Sequence, residues 1–505
     1  MTSLRIYGGI AADARPRAVN AAAAAFLLAG CVVGPNFKKP APPDVTAVTS
    51  HAPTATVATP GITGGAAQRF VAGADISGDW WTLFHSKALD ALIDQALANS
   101  PDLKAAQAAL RAAHEATLAQ RGAYFPSVTG NASASRQSSP EVLAPVPNSN
   151  TFQYSLITTE VSVSYAPDVF GLNHRTVESL QAQEQAVRYQ EMATYTALTA
   201  NVAVAAIQLS SVDEQVRTTH ALIDTDSQLL KILRYQQAKG YASGLDVAAQ
   251  ESQLAQAEAT LPPLAKQAAQ LHDQLADLVG AFPNQVPDGA LALADLQLPT
   301  DLPLSLPSAL VEQRPDILQA EANLHAASAE VGIATANRLP NIELTANAGS
   351  TALSFGQLFG PGTGFWSLGA GLAAPIFEGG ALLHKQRGAR AAYDEAAQQY
   401  RSTVLMAFRN VADSLAALEE DAKALKSAAA AADAARITLD GVRRQLKDGY
   451  AGYPGLLNAE QAYENTQIGL VQAEANRFAD TAALFQALGG GWWRRTDLAR
   501  TDHGQ

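Results

Sequence analysis

The chain is poor in cysteine, methionine and aromatics: one cysteine, three methionines and 7% aromatic residues in 505. A lone cysteine, Cys31, excludes a disulfide framework within the chain, and three methionines, Met1 included, cannot assemble a metal relay. Basic charge is also short. Lys and Arg number 35 against 47 Asp and Glu, a formal charge of -12, with no Lys/Arg cluster interleaved with aromatics, which sets nucleic acid aside as a partner. Beyond the N-terminal region no apolar run of 18 or more residues passes without polar interruption, so no membrane-spanning helix is expected. Enzyme signatures are missing as well. HEATL, containing His114 and Glu115, lacks the second histidine of a zinc-protease helix, GAGLAA at 369–374 lacks the third glycine of a dinucleotide loop, and no G-x-S-x-G occurs. The nine histidines are scattered singly, as on solvated helix faces.

What is present begins with composition: 48% hydrophobic and 16% charged residues mark a folded chain with a substantial core. Arg5, Arg15 and Arg17 precede an apolar run of about 13 residues that ends in small side chains, the layout of a secretory signal over residues 1–30. Leu28, Ala29, Gly30 and Cys31 resemble a bacterial lipoprotein box, in which the cysteine becomes the lipidated first residue of the mature chain. Acyl chains there anchor at about 0.8 kcal/mol per buried CH₂. Val32 follows instead of the aspartate that retains lipoproteins at the inner membrane, so the resemblance implies outer-membrane sorting.

The remainder repeats itself. SPDL at 100–103 matches RPDI at 314–317, and YFPSV at 124–128 matches RLPNI at 338–342, both offset by 214 residues. Gly240-Tyr241 matches Gly449-Tyr450, and Gly280 matches Gly489, both offset by 209. The sequence reads as an internal tandem duplication, with a first repeat at 80–284 and a second at 308–491. An extended arm at 31–79 precedes them, a Pro-rich linker at 285–307 joins them, and a loose C-terminal tail at 492–505 follows.

Each repeat has the same order of elements. A helix starts at Ser100-Pro101-Asp102, where Ser caps, Pro suits the first turn and Asp complements the dipole, and it ends before Pro126; its twin ends before Pro340. The period then changes to two. Val128, Gly130, Ala132 and Ala134 alternate with polar neighbours, as do Ile342, Leu344, Ala346 and Ala348, and further strands are expected within 152–168 and 364–377. Proline-free segments at 171–239 and 380–448 follow, each about 100 Å long if helical throughout. Leu198, Val202, Ala205, Leu209, Val212 and Val216 step by fours and threes, as do Phe408, Val411, Leu415, Leu418, Ala422, Leu425, Ala429 and Ala432, the spacing of a coiled packing.

Strands with small or apolar residues on one face and polar ones on the other fit a wall between lipid and water; a small soluble sheet covered by a helix is the alternative. Four strands cannot close a barrel, because lipid leaves no partner for a sheet edge, so several subunits must share one. A lipid-anchored coiled-coil spacer without a pore is a second reading, but it has no use for matched amphipathic strands. A lipoprotein hydrolase would need a nucleophile and base that the sequence does not offer.

Taken together, the lipobox, the WW-x-LF of Trp80, Trp81, Leu83 and Phe84, the SPDL/RPDI pair, the YFP/RLP junctions and the Gly-Tyr turns followed by LLNAEQAY resemble the TolC-like outer-membrane factor family, in its NodT-type lipoprotein branch. The resemblance implies an α+β membrane protein. Three subunits would each give four strands to one trimeric β-barrel that continues into a long α-helical coiled-coil periplasmic tunnel. It also implies a passive conduit for small molecules in a tripartite efflux system, with a periplasmic adaptor (membrane fusion) protein and an inner-membrane pump of the resistance-nodulation-division (RND) class as partners, no enzyme activity, and no cofactor other than lipid on Cys31. By matched position, Gly240, Ser243, Gly449 and Gly452 become adaptor-docking residues at the hairpin turns, and Pro454, Asn458 and Gln461 the periplasmic aperture. Relatives commonly carry leucine, an acid and a base at the last three places. Asn458 and Gln461 depart from that pattern, which implies a weakly latched, uncharged ring.

Overall fold

The structure, a computed structural model, describes residues 32–45, 47, 49, 54–138, 153–287, 289, 291–305, 307–450 and 452–495. The signal at 1–30, the lipidation residue Cys31 and the tail from 496 onward lie outside the described residues. In chain order the elements are β1 (Arg69–Ala72), α1 (Lys87–Asn99), α2 (Pro101–Arg121), β2 (Ser127–Ser138), β3 (Gln153–Tyr165), α3 (Leu172–Ala238), α4 (Gly244–Leu278), β4 (Asp301–Leu304), α5 (Pro307–Gln313), α6 (Pro315–Ala336), β5 (Asn341–Ala352), β6 (Gly364–Ala373), α7 (Ala381–Lys447) and α8 (Tyr453–Ala487). The order α2-β2-β3-α3-α4 recurs as α6-β5-β6-α7-α8, with α3 and α7 each 67 residues long and α4 and α8 each 35. Both long helices stop one residue inside the spans their sequence pattern marks. Among the described residues α3 is long and apolar enough by composition to cross a membrane, but 67% of its most apolar window is buried within the chain, as in a packed core helix.

Two compact units emerge. The first comprises Arg111–Gln185 and Ala322–Gln398 with residues up to Lys39. Its centre is a four-stranded antiparallel sheet in the order β2-β3-β5-β6. Directly paired residues share a face, so register shows what each face carries. One row runs Gly130, Val161, Ala348, Trp366 and the next Val128, Val163, Ala346, Leu368, all apolar. The opposite face carries Asn131, Glu160, Gly349 and Phe365, then Thr129, Ser162, Asn347 and Ser367, and is polar apart from Phe365 and Gly349 in these rows. Polar side chains there bond to one another, Ser164 to Glu343 at 3.0 Å and Asn347 to Ser367 at 3.2 Å. The apolar face is open, with Val128, Trp366, Leu368 and Leu372 each between 66% and 75% exposed.

The same unit holds the chain just after Cys31. Buried Arg175 donates to the carbonyls of Val33 (3.0 Å) and Gly34 (3.3 Å) and to Asn36 Oδ1 (2.8 Å). It also pairs with Glu178 at 2.6 Å, and Glu178 in turn meets His325 at 3.0 Å, over which Phe37 stacks at 4.3 Å. Glycine is required at 332, because a Cβ there would stand 2.8 Å from the Arg175 side chain.

The second unit comprises Pro40–Leu110, Ala186–Glu321 and Gln399–Gln505, and holds the main core. The WW-x-LF residues form a 3-10 turn whose Trp80 is fully buried and stacks on Phe485 at 5.2 Å, while Phe84 tilts onto Phe478 at 6.3 Å. Helical seams follow the expected spacing, with Val202, Ala205, Leu209 and Val212 buried on α3 and Val411, Leu415, Leu418, Ala422 and Leu425 on α7.

Three stretches that read as arm, linker and loose tail are firmly placed instead. β1 of the arm pairs in parallel with β4 of the linker, aligning Arg69 with Asp301 and Phe70 with Leu302. The buried guanidinium of Arg477 ties the arm to α7, donating to the carbonyls of Leu418 (3.0 Å) and Ala66 (3.2 Å) and to Thr56 Oγ1 (3.3 Å). The described start of the tail is fastened too. Trp492 donates to the Gln313 carbonyl at 2.8 Å, and Trp493 and Arg494 both engage Asp75. Truncating the central aromatic should therefore be costly: Trp80→Ala is expected to destabilise this unit by about 3–5 kcal/mol, read as a lower urea midpoint in detergent.

Candidate functional site

Helices α3 and α7 end in the same way. Gly240 and Gly449 both take φ 79°, the left-handed region where glycine carries no Cβ penalty. Paired bonds close each end, Tyr241 N to Gln236 O and Gly240 N to Gln237 O in the first, Tyr450 N to Gln445 O and Gly449 N to Leu446 O in the second. That is a Schellman motif at both turns. A Cβ on either glycine would meet nothing within 4 Å, so backbone conformation and not crowding demands glycine here. The tips expose large side chains: Tyr241 is 84% exposed, Leu245 83% and Tyr450 87%.

The returning helices start differently. Ser243 caps α4 in a reciprocal box, its Oγ accepting from Asp246 N at 3.2 Å while Asp246 Oδ2 accepts from Ser243 N at 3.0 Å. The Ser243 hydroxyl, also placed 2.7 Å from Asp246 Oδ2, and then the Ser243 N–H hold the Asp246 carboxyl below its ordinary range. Gly452 occupies the cap of α8 with no side-chain bond, and Pro454 sits in the first turn. Pro454, Asn458 and Gln461 all lie exposed, whereas Leu456, Ala459, Glu460 and Glu464 are buried on the other side of the helix. The hydroxyl of Tyr453 donates to Gln236 Oε1, joining the start of α8 to the end of α3.

Behind the tips lies a feature the sequence reading missed. A cavity of about 390 Å³ is lined by Glu214, Arg217, Asp226, Arg443, Glu460 and Glu464 among others. Buried Asp226 accepts from Gln250 Nε2 at 3.1 Å, and Arg443 reaches Glu460 at 3.2 Å. Burial pushes the carboxyls of Asp226, Glu460 and Glu464 up, and the charge of Asp226 raises the two glutamates further, while Arg443 opposes the rise at Glu460. Farther along α8, Glu474 is pushed up to about 7 by burial and then by the charge of Glu214 on α3. Burial and the facing Asp480 likewise push Asp421 up to about 7. A signal was present: Glu460, Glu464, Gln467, Val471, Glu474 and Phe478 step by fours and threes, a heptad stripe with acids at seam positions.

Other sequence candidates sit apart from this site. His114 bonds Glu184 at 2.9 Å, and GAGLAA lies in and just after β6. Among the described residues no group of three or more His, Cys, Asp or Glu is placed to hold a metal ion.

Raised carboxyl pKa values fix the sign of a pH dependence. A carboxyl raised by packing stabilises the packed seam fully below its ordinary value of 4.5, and that contribution is lost as pH rises through about 7. The protein is therefore expected to melt at a higher temperature at pH 5.5 than at pH 7.5, and Glu474→Gln to narrow the gap, as measured by differential scanning fluorimetry in detergent.

Comparison with known proteins agrees with this architecture. The chain matches the outer membrane efflux protein family over residues 92–281 and again over 306–490, one match in each half. It is 30% identical over 494 residues to the probable efflux pump outer membrane protein TtgC of Pseudomonas putida, covering 95% of this chain and 96% of that one. It is also 30% identical over 419 residues to the pyoverdine export outer membrane protein OpmQ of Pseudomonas putida, covering 82% and 88%. Among solved structures, the outer-membrane channel OprN superposes with a TM-score of 0.81 at 25% identity, covering 92% of this chain and all of that one. Matched in both halves and along nearly its whole length, the chain belongs to the outer membrane efflux protein family.

Proposed function

We propose that this chain is the outer-membrane channel of a tripartite efflux system, a passive duct that carries small molecules from pump and periplasm to the exterior. The observation that carries the reading is the sheet: one face apolar and open, the other mostly polar, and both edge strands, β2 and β6, without an outer partner among the described residues. Lipid supplies no hydrogen bonds to an edge, so copies must complete one another. Strand directions alternate across β2-β3-β5-β6, so β6 of one copy meets β2 of the next in antiparallel sense, and three copies make a barrel of twelve strands. Strands of 10 to 13 residues suit a tilted bilayer crossing. The recurring order of elements and the family's double match support an internal tandem duplication.

The partner reading is supported by the relatives, TtgC being a probable efflux pump outer membrane protein and OpmQ a pyoverdine export outer membrane protein. We assign to this chain a periplasmic adaptor and an inner-membrane pump of the RND class. The exposed turns around Gly240, Ser243, Gly449 and Gly452 are the adaptor's seat. Pro454, Asn458 and Gln461 line the periplasmic aperture, where three symmetry-related Asn458 side chains form a polar, uncharged ring. Cys31 carries the lipid, and no further cofactor is required. Energy comes from the pump, so the chain performs no catalysis of its own.

Crosslinking in outer-membrane fractions is expected to give a three-chain mass and to retain the adaptor; a detergent-stable monomer without pore activity overturns the reading. In planar bilayers Asn458→Asp is expected to raise cation preference, and an unchanged conductance and selectivity removes Asn458 from the constriction.

A further inference from the structure

The connection between β5 and β6, residues 353–363, carries three exposed apolar side chains, Leu353 at 60%, Phe355 at 73% and Phe359 at 83%. Three large apolar groups in water at the mouth of a channel call for an account. Hydrogen bonds fix the loop: Ser350 Oγ and Thr363 Oγ1 both donate to the carbonyl of Leu358, and Thr351 N donates to the Thr363 carbonyl at 2.9 Å. A definite conformation is thus imposed on a glycine-rich turn.

Where the loop folds is decided by its single buried residue. Leu358 packs on Ile157 and Ala352, and the three form a small cluster of their own. Ile157 and Ala352 are register partners, and they stand four residues from Val161 and Ala348, which are register partners too. With a period of two, Ile157, Val161, Ala348 and Ala352 all project from one face. That is the apolar face, the one bearing Trp366 and Leu368. The loop therefore folds back over the apolar side of the sheet and leaves the polar side clear.

We infer that residues 353–363 form a lipid-facing foot, which seats Phe355 and Phe359 beside Trp366 in the outer interfacial layer of the membrane, and not a lid over the pore. This rests on the reading of the sheet as a membrane wall. The chemistry fits an interface: aromatic rings flank the apolar band of membrane barrels at both ends, and the hydroxyls of Ser350 and Thr363 cover the loop carbonyls of Leu358 and Gly360. From Trp366 to Leu372 the outward residues of β6 span about 20 Å along the strand at roughly 3.3 Å per residue, about 15 Å of depth at a tilt of about 40°. An apolar band is about 25 Å tall, so the aromatic loop beyond Trp366 extends this face toward the band's outer margin. The occupant is lipid, because the loop is continuous with the face that lipid must cover.

Cysteines placed one at a time at Phe355, Phe359, Leu368 and Asn347 in the full-length protein, reconstituted in vesicles and labelled with an environment-sensitive fluorophore, test this. The unsubstituted chain, labelled in parallel, corrects for Cys31. Labels at Phe355→Cys and Phe359→Cys are expected to be quenched several-fold more by nitroxide-bearing lipid than by aqueous iodide, as at Leu368→Cys, with the reverse at Asn347→Cys. Lipid quenching at Leu368→Cys with only iodide quenching at both loop positions overturns the foot and leaves the wall standing. Iodide quenching at Leu368→Cys overturns the wall, and the foot with it.

Discussion

An unpaired strand edge in hydrocarbon is the constraint on which the rest depends. Each exposed backbone N–H or C=O costs several kcal/mol where no water can reach it. Among the described residues, strands β2 and β6 present such edges and β3 and β5 do not. In the proposed barrel, an even number of strands per copy is what makes the edges mutually useful, because alternating directions then let the last strand of one copy meet the first of the next in the same antiparallel pattern. Repetition of the two-strand unit within the chain delivers that even number. It also gives each strand pair its own pair of long helices, so the membrane wall and the helical body are specified by one repeated pattern.

The helices meet under a different balance. Small residues dominate their buried seams, including Ala200, Ala203, Ala206, Ala407 and Ala422, all within 1% of full burial. Close approach of this kind gives many dispersion contacts per turn. Against it stand the acids of α8, which face Asp226 and Glu214 of α3 and whose pKa values burial and those facing charges raise. Apolar packing and acid repulsion therefore oppose each other along one seam. A seam so composed opens at less cost than one built of alanine and leucine throughout.

Local periodicity explains why so much was legible in the sequence. The long helices, the strand pairs and both Gly-Tyr turns are written in spacing, period and repeated offset, and each of these is a property of residues close together in the chain. What was not legible joins distant residues. Nothing in the Pro-rich arm and linker announces that Arg69 will align with Asp301, and a tail of Gly, Trp and Arg reads as loose until Asp75 is seen beside it. Buried Arg477 is a charged residue by composition and a core residue by position, because two backbone carbonyls and a hydroxyl replace its water. At the tips, Pro454, Asn458 and Gln461 were picked out by their matched position in the resembled family, whereas the bond between Tyr453 and Gln236 needed the fold.

The two tips differ in a way that bears on movement. Their helices leave through the same glycine geometry, but only α4 returns through a capping box. With glycine at the cap of α8 the missing side-chain bond costs roughly a few tenths of a kcal/mol, and Pro454 offsets part of it, since a residue without an N–H leaves one fewer donor to satisfy. The start of α8 is thus the less secured of the two. What holds it is the hydroxyl of Tyr453 on Gln236, backed by Leu439, Leu456 and Ala459 in a small apolar cluster. Immediately beyond that cluster the seam turns acidic at Glu460 and Glu464. Loss of that one part-buried hydrogen bond would leave few apolar side chains holding α8 against that repulsion, which makes the second hairpin, and not the first, the element poised to swing.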